Sequence, residues 1–248
     1  MADTTREQLQ TMGLSEEQIN AILGVTNQES GEGLPFPILK VNYDADLGKL
    51  GAFGYNPQKN EDGFIESYEK TFDVIKATFL KSVYQYSAFD ANTNQVSVVS
   101  NIFESLKDAK NAIDTKSGLP ISELKETNDN IKLQRISLVK LEDTGDVAVW
   151  FLKGKYLFEL NEELRKHKNE GHLTKTFTIR NKKQKKGSVT YFIPEISVED
   201  RNMLETIKED SEYITKFNNW ALKEVEVQPK KRVNEAPEID VDEDDIIF

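Results

Sequence analysis

The chain has 248 residues, no cysteine, two histidines and a formal net charge of -11. That length can bury a substantial core, the missing thiols exclude disulfides, thiolate zinc sites and cysteine nucleophiles, and no apolar run approaches the roughly 20 residues that a membrane helix needs. The first residues lack a basic region followed by an apolar run, so no signal peptide and no membrane partner are expected, and a cytoplasmic location is.

Residues 4–23 read as two short helices parted at Met12-Gly13. The second opens on the capping-box pattern Ser15-Glu16-Glu17-Gln18 and puts Ile19, Ile22 and Leu23 on one face. Residues 27–33 form a polar, glycine-containing linker, so 1–33 is expected to be a helical appendage to the body. Pro35 and Pro37 then precede an apolar run up to Tyr43 and predict a strand that begins at a sheet edge. Gly48, Gly51 and Gly54 recur among Leu50, Phe53 and Tyr55. A phosphate loop would need a hydroxyl where Leu50 follows Gly48-Lys49, so the spacing predicts a bent or bulged strand instead.

The densest aromatic stretch runs from Phe72 through Phe79, Tyr84 and Tyr86 to Phe89. With residues 82–87 extended, Tyr84 and Tyr86 project to one side and Val83 and Gln85 to the other. Most of these rings belong in a core; Tyr84 and Tyr86 are expected outside it, with Lys81 beside them. Asp90 to Asn94 imitates the start of a calcium loop, but Gln95 and Asn101 stand where glycine and glutamate are required, which leaves a turn. Ile102, Leu106, Ala109 and Ile113 follow helical spacing up to Gly118-Leu119-Pro120. Residues 131–141 and 147–152 are β-rich runs joined by a hairpin turn at 142–146.

Tyr156, Leu157, Leu160 and Leu164 predict a helix over 155–168. A second hairpin follows: an arm at 174–180, a lysine-rich loop from Asn181 to Gly187, and an arm at 188–193. Ser197-Val198-Glu199-Asp200 then reads as the cap of a long helix with Leu204, Ile207, Ile214, Phe217 and Ala221 in one stripe.

Charge is segregated along the chain. Residues 151–190 hold eleven basic and four acidic side chains, a local net of +7. A nucleic-acid single strand is held by cations that follow its phosphates and by flat side chains on which bases stack, at about 1–3 kcal/mol per base. The second hairpin offers Lys182, Lys183, Lys185 and Lys186 on its loop and Lys175 and Arg180 on its arms, with Phe177, Tyr191 and Phe192 among them. Lys153, Lys155 and Tyr156 extend this basic, aromatic region, and Lys81, Tyr84 and Tyr86 complete the candidate nucleic-acid-binding set. The plain alternative is a solvated lysine loop.

Residues 235–248 contain seven acids and no base; without them 36 acidic side chains face 32 basic ones, a net of -4. Such a segment has too little apolar surface to offset ordering and is expected to be a disordered tail. A tail that only confers solubility gains nothing from Ile246-Ile247-Phe248, whereas a ring with its own carboxylate behind acids suits docking into an apolar pocket with a basic rim. Asp242-Glu243-Asp244-Asp245-Ile246-Ile247-Phe248 resembles the acidic, Phe-ended tip of bacterial and bacteriophage single-stranded-DNA-binding proteins. The resemblance covers these seven residues. It implies a protein that coats single-stranded DNA during replication, recombination or repair, in a bacterial host cytoplasm, and recruits a polymerase, helicase, primase or nuclease through the tail. It implies also that the tail occupies the protein's own groove until nucleic acid displaces it.

The fold expected from pattern and resemblance together is α+β. An oligonucleotide-binding (OB-fold-like) β-barrel with helical insertions spans 34–224, flanked by the appendage at 1–33 and the linker and acidic tail at 225–248. No enzyme, cofactor or metal is expected: His167 and His172 match neither a metal pair nor a hydrolase signature. The competing class is a DNA mimic that inhibits a nucleic-acid enzyme through its acidic tail, but a pure mimic has no use for Lys182 to Lys186. Oligomeric state, a homo-oligomer included, stays open.

Overall fold

The computed structural model describes residues 34–60, 64–90, 95–187 and 189–222. The expected N-terminal helices and the acidic tail, with Asp242 to Phe248, lie outside them, as does the turn at 91–94. The described residues form a mixed α+β structure around one strongly curled, half-barrel sheet. Its strands are β1 (Ile38–Val41), β2 (Phe53–Lys59), β3 (Ile65–Phe72), β4 (Val74–Asp90), β5 (Gln95–Val99), β6 (Lys132–Leu141), β7 (Val147–Lys153), β8 (Lys175–Lys186) and β9 (Val189–Asp200). They lie in the order β3-β2-β1-β7-β6-β4-β8-β9, with β5 also on β4. The helices are α1 (Ile121–Thr127), α2 (Gly154–Lys166) and α3 (Ile207–Ala221).

β4 organises the sheet. Its β-branched and aromatic residues favour extended backbone, and it pairs with β6 on one side and with β8 and then β5 on the other. Between Phe79 and Lys81 the register slips by one residue. A one-residue slip exchanges the faces, so Phe79 packs in one cluster whereas Leu80 and Val83 pack in another. Along β7 the alternation is regular: Ala148, Trp150 and Leu152 enter the first cluster and Val147 and Val149 the second. Tyr156, Leu157, Leu160 and Leu164 of α2 close the first face, and Ile214, Phe217 and Ala221 of α3 close the opposite one.

The curl brings distant parts of the sheet together. Three strands separate β1 from β8 in the sheet order, yet Asn181 Nδ2 donates to the carbonyl of Gly51 at 2.7 Å, between β1 and β2. A Cβ on Gly51 would stand 2.5 Å from the Phe192 ring, and its φ of +81° also favours glycine.

Several expectations are corrected. β1 lies inside the sheet between β2 and β7, not at an edge; its prolines precede the strand, and the carbonyl of Pro37 accepts from Val149 at 2.8 Å. The helix expected from Ile102 to Ile113 reduces to a 3-10 turn at Leu106–Asn111. Its flanks spend their backbone groups on extended pairing instead, Phe103 with Tyr84 and Asn101 with Ile113. Ser197 to Asp200 end β9 opposite β8 rather than capping a helix. α3 begins at Ile207, and Leu204 stands exposed before it.

An ionic cluster fixes α3 to the sheet. Asp210 is fully buried and meets Lys140 Nζ at 3.2 Å, Arg201 Nη1 at 2.8 Å and the Thr206 hydroxyl at 3.0 Å. Glu209 meets Lys140 at 2.6 Å. Hydrogen bonds from Lys140 and Tyr213 hold the Glu209 carboxyl below the usual carboxylate range. It therefore takes up its proton at lower pH in the folded chain than in the unfolded one. Its contribution to stability is complete above that range and is lost as pH falls through the depressed value. Urea midpoints measured from pH 7 to pH 3 are expected to fall in acid, and Glu209→Gln to make that fall shallower.

Candidate nucleic-acid interface

The lysine-rich segment is strand, not loop. β8 runs unbroken to Lys186, paired with Val189, and Gly187 makes the tight turn with φ +61°. Pairing continues because the opposing arm, Thr190 to Ile193, favours strand, and lysines on a solvated ribbon have no burial penalty to oppose it. The ribbon consequently divides its charges. Arg180, Lys182 and Lys186 share one face, where Lys182 stands 3.7 Å from Glu195. Lys183 and Lys185 share the other with their cross-strand partners Phe192 and Thr190.

Other expected contacts are already occupied. Phe177 is fully buried and its ring packs against Phe79 at 5.3 Å, so it is core and not a stacking platform. Lys175 is held by Glu170 and by Asp200 at 2.5 Å. Lys81 meets Glu104 at 2.6 Å. Tyr84 and Tyr86 do lie outside the two main clusters, but they are half-buried against Phe103, and Lys125 Nζ sits 3.6 Å from the centre of the Tyr86 ring. Tyr156 is buried beside Trp150, which excludes base stacking on its ring. The rings of His167 and His172 both stand edge-on to Phe177.

A second feature went unseen in the sequence. At the ends of the parallel pair β1 and β7 lies a cavity of about 940 Å³, lined by Lys40, Lys59 and Lys153 together with Tyr43, Phe64 and Tyr68. β2 carries the left-handed residue Asn56, φ +50°, a conformation that asparagine tolerates. Beyond it Lys59, and then Phe64 and Tyr68 from the β3 side, return to the cavity wall. Gly54 makes room for this: a Cβ there would stand 2.3 Å from the Tyr68 ring. Gly54→Ala is therefore expected to cost about 1–3 kcal/mol of stability, read as a lower urea midpoint.

Tyr43 and Phe64 are 58% and 60% exposed, rings held at the surface rather than in the core. Among the described residues no carboxylate forms an ion pair with Lys40, Lys59 or Lys153. Burial and the neighbouring ammoniums of Lys59 and Lys153 lower the pKa of Lys40, and burial lowers that of Lys153. Burial raises the pKa of Tyr43, and burial with the Asp44 carboxylate raises that of Tyr68. Lys153 Nζ donates one hydrogen bond to Ser87 at 2.9 Å.

Ribbon and cavity adjoin. The Tyr43 ring meets Phe192 at 5.6 Å, and Lys155, at the start of α2, stands 5.2 Å from the centre of the Tyr191 ring. The structure thus brings Lys153 of the expected set into the cavity with Lys40, Lys59, Tyr43 and Phe64, which the sequence did not single out. It puts Lys183 and Lys185 on the ribbon face of Phe192, which Tyr43 meets; Tyr191, opposite Gln184, stands on the Lys182 and Lys186 face beside Lys155. No local pattern links Lys40 to Lys59 or Lys153; only the β1–β7 pairing and the returning hairpin do. Comparison with protein-family models, with curated proteins and with solved structures found no match to this chain. Among the described residues no helix is long and apolar enough to cross a membrane.

Proposed function

We propose that this chain is a single-stranded-DNA-binding protein that coats single strands with little sequence selectivity in replication, recombination or repair. The observation that carries this reading is the grouping of the exposed Tyr43 and Phe64 rings with unneutralised lysines at the cavity, joined to the lysines of the β8–β9 ribbon where Tyr43 packs on the buried Phe192. Rings offer every base a stacking face and lysines offer every phosphate a cation, so affinity without selectivity follows. The fold supports the reading further. Five strands, β1, β7, β6, β4 and β8, curl until the first and last nearly meet, as in the partly open five-stranded barrel of the oligonucleotide-binding type. The acidic segment 235–248 then acts as a competitor for the same cations and as the docking element for partner enzymes.

Tyr43→Ala and Phe64→Ala test the stacking role. Each is expected to weaken binding of a dT strand by about 1–3 kcal/mol with an unchanged urea midpoint, because both rings are more than half exposed. Undiminished binding by both variants would remove the cavity from the interface.

A further inference from the structure

The cavity gathers three lysines that no carboxylate neutralises among the described residues, whereas several lysines elsewhere are paired. Lys49, Lys70, Lys81, Lys140, Lys166 and Lys175 each meet a carboxylate within 2.7 Å. Lys40, Lys59 and Lys153 have no such partner among the described residues, although all three line one cavity. Asp44 lines it too, so three ammoniums and one carboxylate leave a local net of +2. An internal phosphodiester carries one negative charge, whereas a phosphate monoester carries about 1.5 to 2 at neutral pH. The terminal group is the better match.

A second observation points the same way. The hydroxyl of Tyr156, a residue 8% exposed that lines the cavity, finds no hydrogen-bond partner among the described residues. A buried donor left unpaired is costly, and a phosphate oxygen would satisfy it. The lining chemistry is thus cationic with one unmet donor, and Tyr43 and Phe64 supply flat surfaces beside it.

We infer that this cavity is a subsite for a nucleotide bearing a terminal phosphate, held by Lys40, Lys59, Lys153 and the Tyr156 hydroxyl with its base against Tyr43 or Phe64. The inference rests on the proposed strand-binding function for its base contacts and extends it: the protein recognises an end, or a free nucleotide, as well as a continuous strand. Both sources present the same chemistry.

The test measures binding of the full chain to four probes: a circular single strand, a short dT oligomer with hydroxyl ends, the same oligomer with a 5′- or a 3′-phosphate, and dTTP. A terminal phosphate is expected to tighten oligomer binding about tenfold, the effect of one added charge-assisted contact. Lys40→Gln and Tyr156→Phe are each expected to bring the ratio of phosphorylated to unphosphorylated affinity toward one. A preference for one phosphorylated end assigns strand ends; binding of dTTP without an end preference assigns free nucleotides. Equal affinity for all oligomers together with no binding of dTTP would overturn the inference. Failure to bind the circular strand would instead count against the coating function, whatever dTTP does.

Discussion

A chain carrying both Lys183→Glu and Lys185→Glu is expected to bind a dT strand about a hundredfold more weakly than the unaltered chain, and its plot of log affinity against log salt to flatten by about 1.4, the share of two phosphates. Lys182→Glu with Lys186→Glu is expected to have a much smaller effect. The two pairs have the same composition and differ only in the face they occupy. Lys183 and Lys185 stand on the face of Phe192, whose ring meets Tyr43 at the cavity. Lys182 and Lys186 stand on the other, where Glu195 already approaches Lys182. Equal losses from the two pairs would mean that the strand wraps the ribbon, contrary to a one-sided interface.

Asp210→Asn is expected to lower the stability of the folded chain by about 3 kcal/mol, because removing one member of a buried ionic cluster leaves its partners short of negative charge. Lys140 and Arg201 lose a fully buried counter-ion and keep only Glu209 and Glu142, at 2.6 and 2.9 Å. The check is a urea titration, with a lower midpoint and an unchanged slope. Strand affinity at low temperature, where the variant stays folded, is expected to match the parent. α3 covers the sheet face opposite Trp150 and α2, away from the cavity. A variant that unfolds at the parent's midpoint would show that Glu209 and Glu142 suffice.

Local periodicity carried the fold where the backbone followed it. The turn at 142–146, the buried positions of α2 and the arms of the β8–β9 hairpin all stand where runs of β-branched residues or apolar spacing place them. It misled where nonlocal pairing competed. Ser197 to Glu199 have the composition of a helix cap, but Phe177 and its neighbours across β8 claim them for the sheet. Residues 102–113 have helical spacing, yet pairing with β4 holds Phe103 extended.

The candidate site divides in the same way. The positive charge of the ribbon was plain in the composition, and its division between two faces follows from strand alternation once Asn181 to Lys186 are extended. Phe177 and Tyr191 look alike as strand aromatics. Only the sheet decides that Phe177 faces α2 and Phe79 while Tyr191 lies near Lys155. Lys40, Lys59, Tyr43 and Phe64 had no sequence signal, because a parallel strand pair and a returning hairpin bring them together from separate parts of the chain.

The most direct test is a titration of a fluorescent poly-dT strand and a matched duplex with the full chain and with a chain ending at Asn234, at two salt concentrations. The account predicts preference for the single strand, weakening with salt, and tighter binding once the seven tail acids are gone. Absence of binding by both chains would contradict it and leave the acidic segment, as a mimic of DNA aimed at another protein, as the active part of the molecule.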